Sequence, residues 1–120
     1  MEHYDVIIVG GGPAGLQCAR DLSASSLRVL LLEKQNGFGD KLCAGGLTRK
    51  GMDLLAIPDQ VIEHNILHTA IHSRQRDAGS VTKVPALCTV NRRALGDYQR
   101  SLLNGTSVEV RTNSQVVEIG

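Results

Sequence analysis

Gly10, Gly12 and Gly15, a glutamate at Glu33, a cysteine at Cys43 and an arginine at Arg92 are the residues whose type and spacing could do chemistry. The glycines stand at G-x-G-x-x-G spacing, which brings backbone up to a pyrophosphate. The first makes a tight turn, the second leaves room for the phosphates, and the third lets a helix pack closely on a strand. Glu33 follows Gly15 by 18 residues, where a carboxylate can accept hydrogen bonds from ribose hydroxyls. A 2′-phosphate in that place would meet like charge, so NADP is disfavoured. Lys34 does not reverse this, because successive residues at a strand end point in opposite directions.

Such a site needs strand, turn and helix in that order, and the sequence supplies them. Tyr4 to Val9 has strand character and runs straight into the glycines, and Leu16 to Leu22 continues with a helical pattern. Pro13 suits the helix start, where its missing N–H costs nothing and its fixed φ fits the first turn. Ala14, Cys18, Ala19 and Leu22 recur at helical spacing and are expected to face the sheet, which makes Cys18 a buried hydrophobe rather than a reactive thiol. Leu27 to Leu32 reads as a second buried strand ending at Glu33, so Tyr4 to Glu33 forms a β-α-β unit. The helix N-terminus then presents unpaired N–H groups and partial positive charge to the phosphates.

From Asn36 to Gly46 the chain becomes a Gly-rich loop, long for this position and so expected to be functional. Gly45 and Gly46 would let backbone approach a flat ligand. Leu47 to Ala56 reads as a short helix capped by Thr48 and stopped before Pro58. Ile66 to Arg76 and Ser80 to Val84 alternate apolar and polar residues across Asp77-Ala78-Gly79, which predicts a hairpin. Asn91 is placed to cap a helix with Ala94, Leu95, Tyr98, Leu102 and Leu103 on its apolar face, ended by Asn104-Gly105. Ser107 to Arg111 and Gln115 to Ile119 read as two more strands. The hairpin, within residues 66–85, interrupts the β-α-β succession and makes more sense as the start of a second sheet continued beyond residue 120. On that reading residues 1–120 are the N-terminal part of a larger protein, and taken alone they are a nucleotide-binding module without turnover.

Composition bounds the rest. With 120 residues, 42% hydrophobic and 21% charged, the chain has the length and content of one modest globular domain. A formal charge of +1 and only three aromatic residues give no electrostatic field and no stacking platform for nucleic acid. Three cysteines without a C-x-x-C or a Cys/His cluster argue against a disulfide framework and a structural metal. His64, His68 and His72 could form a ligand stripe on a helix, but Ile66 to Ser73 alternates like a strand, so no metal is expected. No secretory signal is visible and the longest apolar runs are strand-sized, which makes cytoplasmic residence, without a transmembrane segment, the default.

Taken together, Tyr4 to Gly15, Leu31 to Lys34, Lys41 to Leu47 (Lys-Leu-Cys-Ala-Gly-Gly-Leu) and Val90 to Leu95 (Val-Asn-Arg-Arg-Ala-Leu) resemble the geranylgeranyl reductase family. That family belongs to the FAD-dependent oxidoreductases built like para-hydroxybenzoate hydroxylase. The resemblance implies an α/β, Rossmann-like FAD-binding fold of GR2 type, a parallel sheet plus the start of a second, antiparallel sheet. It implies FAD bound by Gly10, Gly12, Pro13, Ala14, Gly15, Glu33 and Lys34 at the nucleotide end. Cys43, Ala44, Gly45 and Gly46 would lie along the flavin, Arg92 would touch the cofactor, and Val116 would meet the adenine through its backbone. A catalytic role falls to Cys43 by its place in that loop. Related reductases usually carry Asp where this chain has Asn91, and Phe-Asp where it has Leu95-Gly96.

The implied activity is reduction of isoprenoid double bonds by reduced FAD, recharged by NAD(P)H or a ferredoxin-like donor. An isoprenoid or other hydrophobic substrate leaves room for peripheral membrane contact. A flavin-dependent monooxygenase or hydroxylase of the same superfamily is the alternative. The β-α-β unit alone does not choose between FAD and NAD; the Gly-rich loop and the resemblance favour FAD.

Overall fold

A computed structural model describes residues 1–41 and 43–120; Leu42, inside the Gly-rich loop and the Lys41 to Leu47 motif, lies outside the described residues. In chain order the elements are β1 (Val6–Val9), α1 (Pro13–Leu22), β2 (Val29–Leu32), β3 (Gly46–Thr48), α2 (Arg49–Leu55) and a 3-10 turn at Asp59–Val61. They continue with β4 (Ile62–Ile66), β5 (His68–His72), β6 (Asp77–Val81), β7 (Leu87–Val90), α3 (Arg92–Ser101) and β8 (Glu109–Arg111). The chain divides into two units, residues 1–42 with 92–120, and residues 43–91.

The first unit holds a parallel sheet of order β1-β2-β8. Val29 and Leu31 of the central strand are buried and stand opposite Val6 and Ile8 of β1, with Val110 of β8 beside Leu31. Side chains alternate across a strand, so these residues share one face. Leu16 and Ala19 of α1 close over that face together with Phe38, Leu103 and Val108. On the opposite face Ile7 and Val9 are 55% and 57% exposed.

Pro13 opens α1, as the sequence suggests, but Ala14 and Cys18 are exposed. The helix is turned so that Gly15, Leu16, Ala19 and Leu22 look inward. Gly15 sets this rotation, because its missing side chain lets α1 settle on the Gly10 carbonyl. In α3 the buried stripe is Leu95, Gly96 and Gln99, continued by Leu103, while Ala94, Tyr98 and Leu102 are half-buried.

The backbone of Phe38 lies where a side chain at Gly96 would go: a Cβ there would stand 2.8 Å from the Phe38 carbonyl carbon. That contact leaves no room for a side chain at Gly96. Gln115 to Ile119 does not form the expected strand. Asn113 and Ser114 donate their N–H groups to the carbonyls of Gln35 and Glu33, and past them no ladder partner exists among the described residues. Alternation marks two faces of an extended segment, but a strand also needs a neighbour for its backbone groups.

The ends of the sheet are tied by a charged cluster. Tyr4 Oη donates to Glu109 Oε2 at 2.5 Å, and Arg111 Nη2 donates to Tyr4 Oη at 2.9 Å and to Glu2 Oε1 at 2.8 Å. Arg28 lies 5.0 Å from the centre of the Tyr4 ring. The Arg111 guanidinium holds the Glu2 carboxyl below its usual range, and the Tyr4 hydroxyl and Arg111 do the same for Glu109.

The second unit is built on an antiparallel sheet of order β3-β7-β4, with an irregularity between Ile62 and His64. Met52, Val61, Cys88 and Val90 are its buried apolar residues. Thr48 caps α2 as expected, its Oγ1 accepting the Gly51 N–H at 3.2 Å, but the helix begins at Arg49 because Leu47 pairs with Cys88 in the sheet. Ala56, in the left-handed conformation, ends it.

The hairpin forms from β5 and β6 alone, and its turn is Ser73 to Arg76, not Asp77-Ala78-Gly79. Ser73 Oγ accepts the N–H groups of Gln75 and Arg76 and donates to the Arg76 carbonyl, a closure made by a side chain. Gly79 pairs with Ala70 inside the strand. His64, His68 and His72 all lie on strands, and no cluster of potential metal ligands occurs among the described residues.

Two outcomes are expected. Gly96→Ala gains helix propensity but drives a Cβ into rigid backbone, so it should destabilise the protein by about 1–3 kcal/mol in urea unfolding. Lowered carboxyl pKa values contribute stability above the ordinary value of 4.5 that is lost as pH falls through the folded values. The unfolding midpoint of wild type should therefore exceed that of Arg111→Ala at neutral pH, with the difference shrinking below that range.

Candidate dinucleotide site

The turn after β1 shows three different reasons for its motif glycines. Gly10 has φ +100, a conformation that L side chains rarely adopt, and its N–H donates to the Leu32 carbonyl at 2.8 Å. Gly15 has no room for a Cβ beside the Gly10 carbonyl. Gly12 is different: its backbone is extended, with φ −72 and ψ 176, and a Cβ would meet nothing within 4 Å. The fold therefore sets no steric limit of its own at Gly12 and leaves open space over its Cα. This is the cradle a pyrophosphate would fill, at the mouth of α1, whose N-terminus carries the unpaired N–H groups and partial positive charge of any helix start.

Glu33 closes the same site. It is 9% exposed, its Oε2 accepts the Gly11 N–H at 2.6 Å, and its Oε1 accepts the Gln35 N–H at 2.8 Å. Each carboxylate oxygen takes more than one hydrogen bond, so capacity remains for two ribose hydroxyls on a side chain already fixed in place. Lys34 is exposed.

Sequence reasoning missed Gly11 and Phe38. A Cβ at Gly11 would come 2.5 Å from Phe38 Cε1 and 3.1 Å from Glu33 Oε2. The ring thus lies against the turn and, through its backbone, against Gly96. The G-x-G-x-x-G pattern treats Gly11 as any residue, and Phe38 as the lone Phe in a Gly-rich loop was the only signal.

Arg92 opens α3 in this unit, and its Nε is buried with no hydrogen-bond partner among the described residues. An orphaned cationic donor fits a site for an anionic ligand. Gly39, with φ +84, brings the loop onto the Arg92 carbonyl, and Arg93 pairs with Asp40. Val116 is half-buried in the extended segment after β8.

Cys43, Ala44, Gly45 and Gly46 belong to the second unit. Gly45 has φ +71 and lies against Val90, whose N–H donates to the Gly45 carbonyl at 2.9 Å, so glycine there has a local reason. Gly46 has open space over its Cα. The Cys43 thiol is exposed and its Sγ accepts the Gly45 N–H at 3.4 Å, whereas Cys88 is buried and burial pushes its thiol up.

A glycine turn feeding a helix, with a buried acceptor at the end of the next parallel strand, defines a dinucleotide-binding β-α-β protein. A model of the Thi4 family matches residues 1–117, and the chain belongs to that family. A digeranylgeranylglycerophospholipid reductase of Methanocella arvoryzae is 42% identical over 59 residues, covering 48% of this chain and 15% of that protein. The crystal structure of a geranylgeranyl bacteriochlorophyll reductase-like protein of Thermoplasma acidophilum aligns with a TM-score of 0.83 and 22% identity over 94% of this chain and 30% of that one. A probable FAD-dependent monooxygenase of Pseudomonas aeruginosa aligns with a TM-score of 0.73 and 18% identity over 99% and 35%. The resemblance to the geranylgeranyl reductases holds, and the fold is the α/β fold expected. The chain spans about a third of the length of these solved structures.

Glu33→Gln would turn an amide NH2 toward one of two backbone donors, Gly11 N–H or Gln35 N–H. Leaving one of them without an acceptor should lower stability by about 1–3 kcal/mol, read from urea unfolding.

Proposed function

We propose that residues 1–120 are the FAD-binding portion of a flavin-dependent oxidoreductase of the geranylgeranyl reductase kind. The observation that carries this reading is Gly12, a glycine that the protein's own packing does not demand, at the mouth of a helix and beside a fixed ribose acceptor. Gly10, Gly12, Pro13, Ala14 and Gly15 hold the pyrophosphate by backbone and helix charge. Glu33 takes the ribose hydroxyls and repels a 2′-phosphate. Arg92 supplies its buried guanidinium nitrogen to the cofactor, and Val116 offers backbone to the adenine. The Gly45-Gly46 backbone with Cys43 and Ala44 is the segment assigned to the flavin ring. When bound, FAD supplies the redox chemistry, and the protein supplies position and electrostatics.

For the whole enzyme the substrate class is an isoprenoid, in keeping with the names of its reductase relatives, and the reductant is NAD(P)H or a ferredoxin-like donor. No helix among the described residues is long and apolar enough to cross a membrane, and we place the protein in the cytoplasm, with peripheral membrane contact through the substrate. The β5–β6 hairpin is assigned to a substrate-domain sheet. An isolated two-stranded sheet is marginal in water, and every residue of these two strands is exposed. Cys43 is assigned a catalytic role; Cys43→Ser in the full-length enzyme should then slow turnover, and unchanged turnover and flavin spectrum would remove that assignment. A monooxygenase, which the likeness to the P. aeruginosa protein keeps in view, would consume oxygen with substrate, whereas a reductase reduces its alkene anaerobically.

The purified protein should be yellow and bind FAD in preference to NAD; a colourless protein that takes up NAD instead would overturn the reading. Gly12→Ala should leave the stability of the apoprotein within about 0.5 kcal/mol of wild type. The same change should weaken FAD binding by about tenfold or more in fluorescence titration, equivalent to roughly 1.4 kcal/mol.

A further inference from the structure

The inward face of α3 carries one polar side chain that packing alone does not explain. Gln99 is 3% exposed, and its Nε2 donates to the Pro13 carbonyl at 3.2 Å. Its Oε1 is buried and has no hydrogen-bond partner among the described residues. The reversed amide would set oxygen against oxygen, so the orientation is fixed by chemistry. A buried amide with its acceptor unused is a net burden on stability, and a leucine or methionine of similar volume would avoid it.

What the amide reaches is the first residue of α1. The N-cap of that helix is weak: Gly12 there has no side chain to accept a hydrogen bond. The space over the Gly12 Cα is open, so packing does not hold the turn there either. Two side chains reach its backbone with hydrogen bonds among the described residues. Glu33 holds Gly11 from the β2 side, and Gln99 holds Pro13 from α3.

We propose that Gln99 is a positioning residue of the dinucleotide site. Its amide fixes the Pro13 carbonyl and with it the first turn of α1, so that the N–H groups of that turn stand ready for the phosphates before a ligand arrives. This role rests on the FAD-binding reading. It deepens that reading by naming a residue outside the glycine motif, on a helix remote in sequence, that tunes affinity through preorganisation.

The test compares the full chain with Gln99→Leu and Gln99→Met by three measurements: FAD titration, thermal unfolding of the apoprotein, and amide exchange at Leu16 to Ala19. The expected result is an FAD dissociation constant raised about fivefold, the size of one net hydrogen bond, in both variants. Exchange in that turn should become faster by a similar factor, while the apoprotein melts at the same or a higher temperature. FAD binding within twofold of wild type would overturn the proposal. So would a loss of affinity accompanied by a lower melting temperature, which marks a merely structural role. A wild type that binds no FAD would refute the cofactor reading by itself. Exchange would still decide the tether, with faster exchange in the variants supporting it and unchanged exchange ending it.

Discussion

The approach of Glu33 and Phe38 to Gly11 is the contact on which the first unit depends. Glu33 Oε2 takes the Gly11 N–H at 2.6 Å, and the Phe38 ring lies where any side chain at Gly11 would have to go. The hydrogen bond fixes the carboxylate at the end of β2, and the ring seals the site from one side at 7% exposure. Phe38 can reach this place because Gly96 lets its backbone sit on α3. The absence of two side chains, at Gly11 and Gly96, thus lets one aromatic ring join the glycine turn to a helix about 80 residues away in sequence.

Polar contacts converge on the same turn from both flanks. Gly10 N–H is held by the Leu32 carbonyl, Gly11 N–H by Glu33 and the Pro13 carbonyl by Gln99. A phosphate-binding loop works through backbone N–H groups whose directions must be set in advance, since its glycines have no side chains to hold them. The parallel sheet provides the frame: β2 is central, paired to β1 and β8, and its Val29 and Leu31 are buried.

Much of this was legible in the sequence because it is local. Strand, turn and helix around Gly10 to Gly15, the acceptor at Glu33 and the Thr48 cap all depend on residues within a few positions of one another or at a fixed motif spacing. What was not legible depends on tertiary placement. The rotation of α1 put Cys18 outside because Gly15 chose the contact face. The sequence pattern does not single out Gln99, and its role depends on α1 lying beside α3. The hairpin turn moved to Ser73 to Arg76 because a serine side chain closed it, against a Gly-containing tripeptide that looked more turn-like. Gln115 to Ile119 alternates like a strand and has no ladder, since pattern records faces and not neighbours.

Each unit also presents apolar side chains outward where its own residues do not cover them. Ile7 and Val9 stand exposed on β1 of the first unit, and Ile71 and Val81 on the hairpin of the second. A two-stranded sheet gains little from its ladder alone, and strands of a parallel sheet are ordinarily covered on both faces. The solved structures this chain resembles are about three times its length. The contrast with the glycine turn is physical: the turn is held by hydrogen bonds and contacts wholly inside the first unit, whereas these faces need apolar cover that neither unit supplies from its own residues.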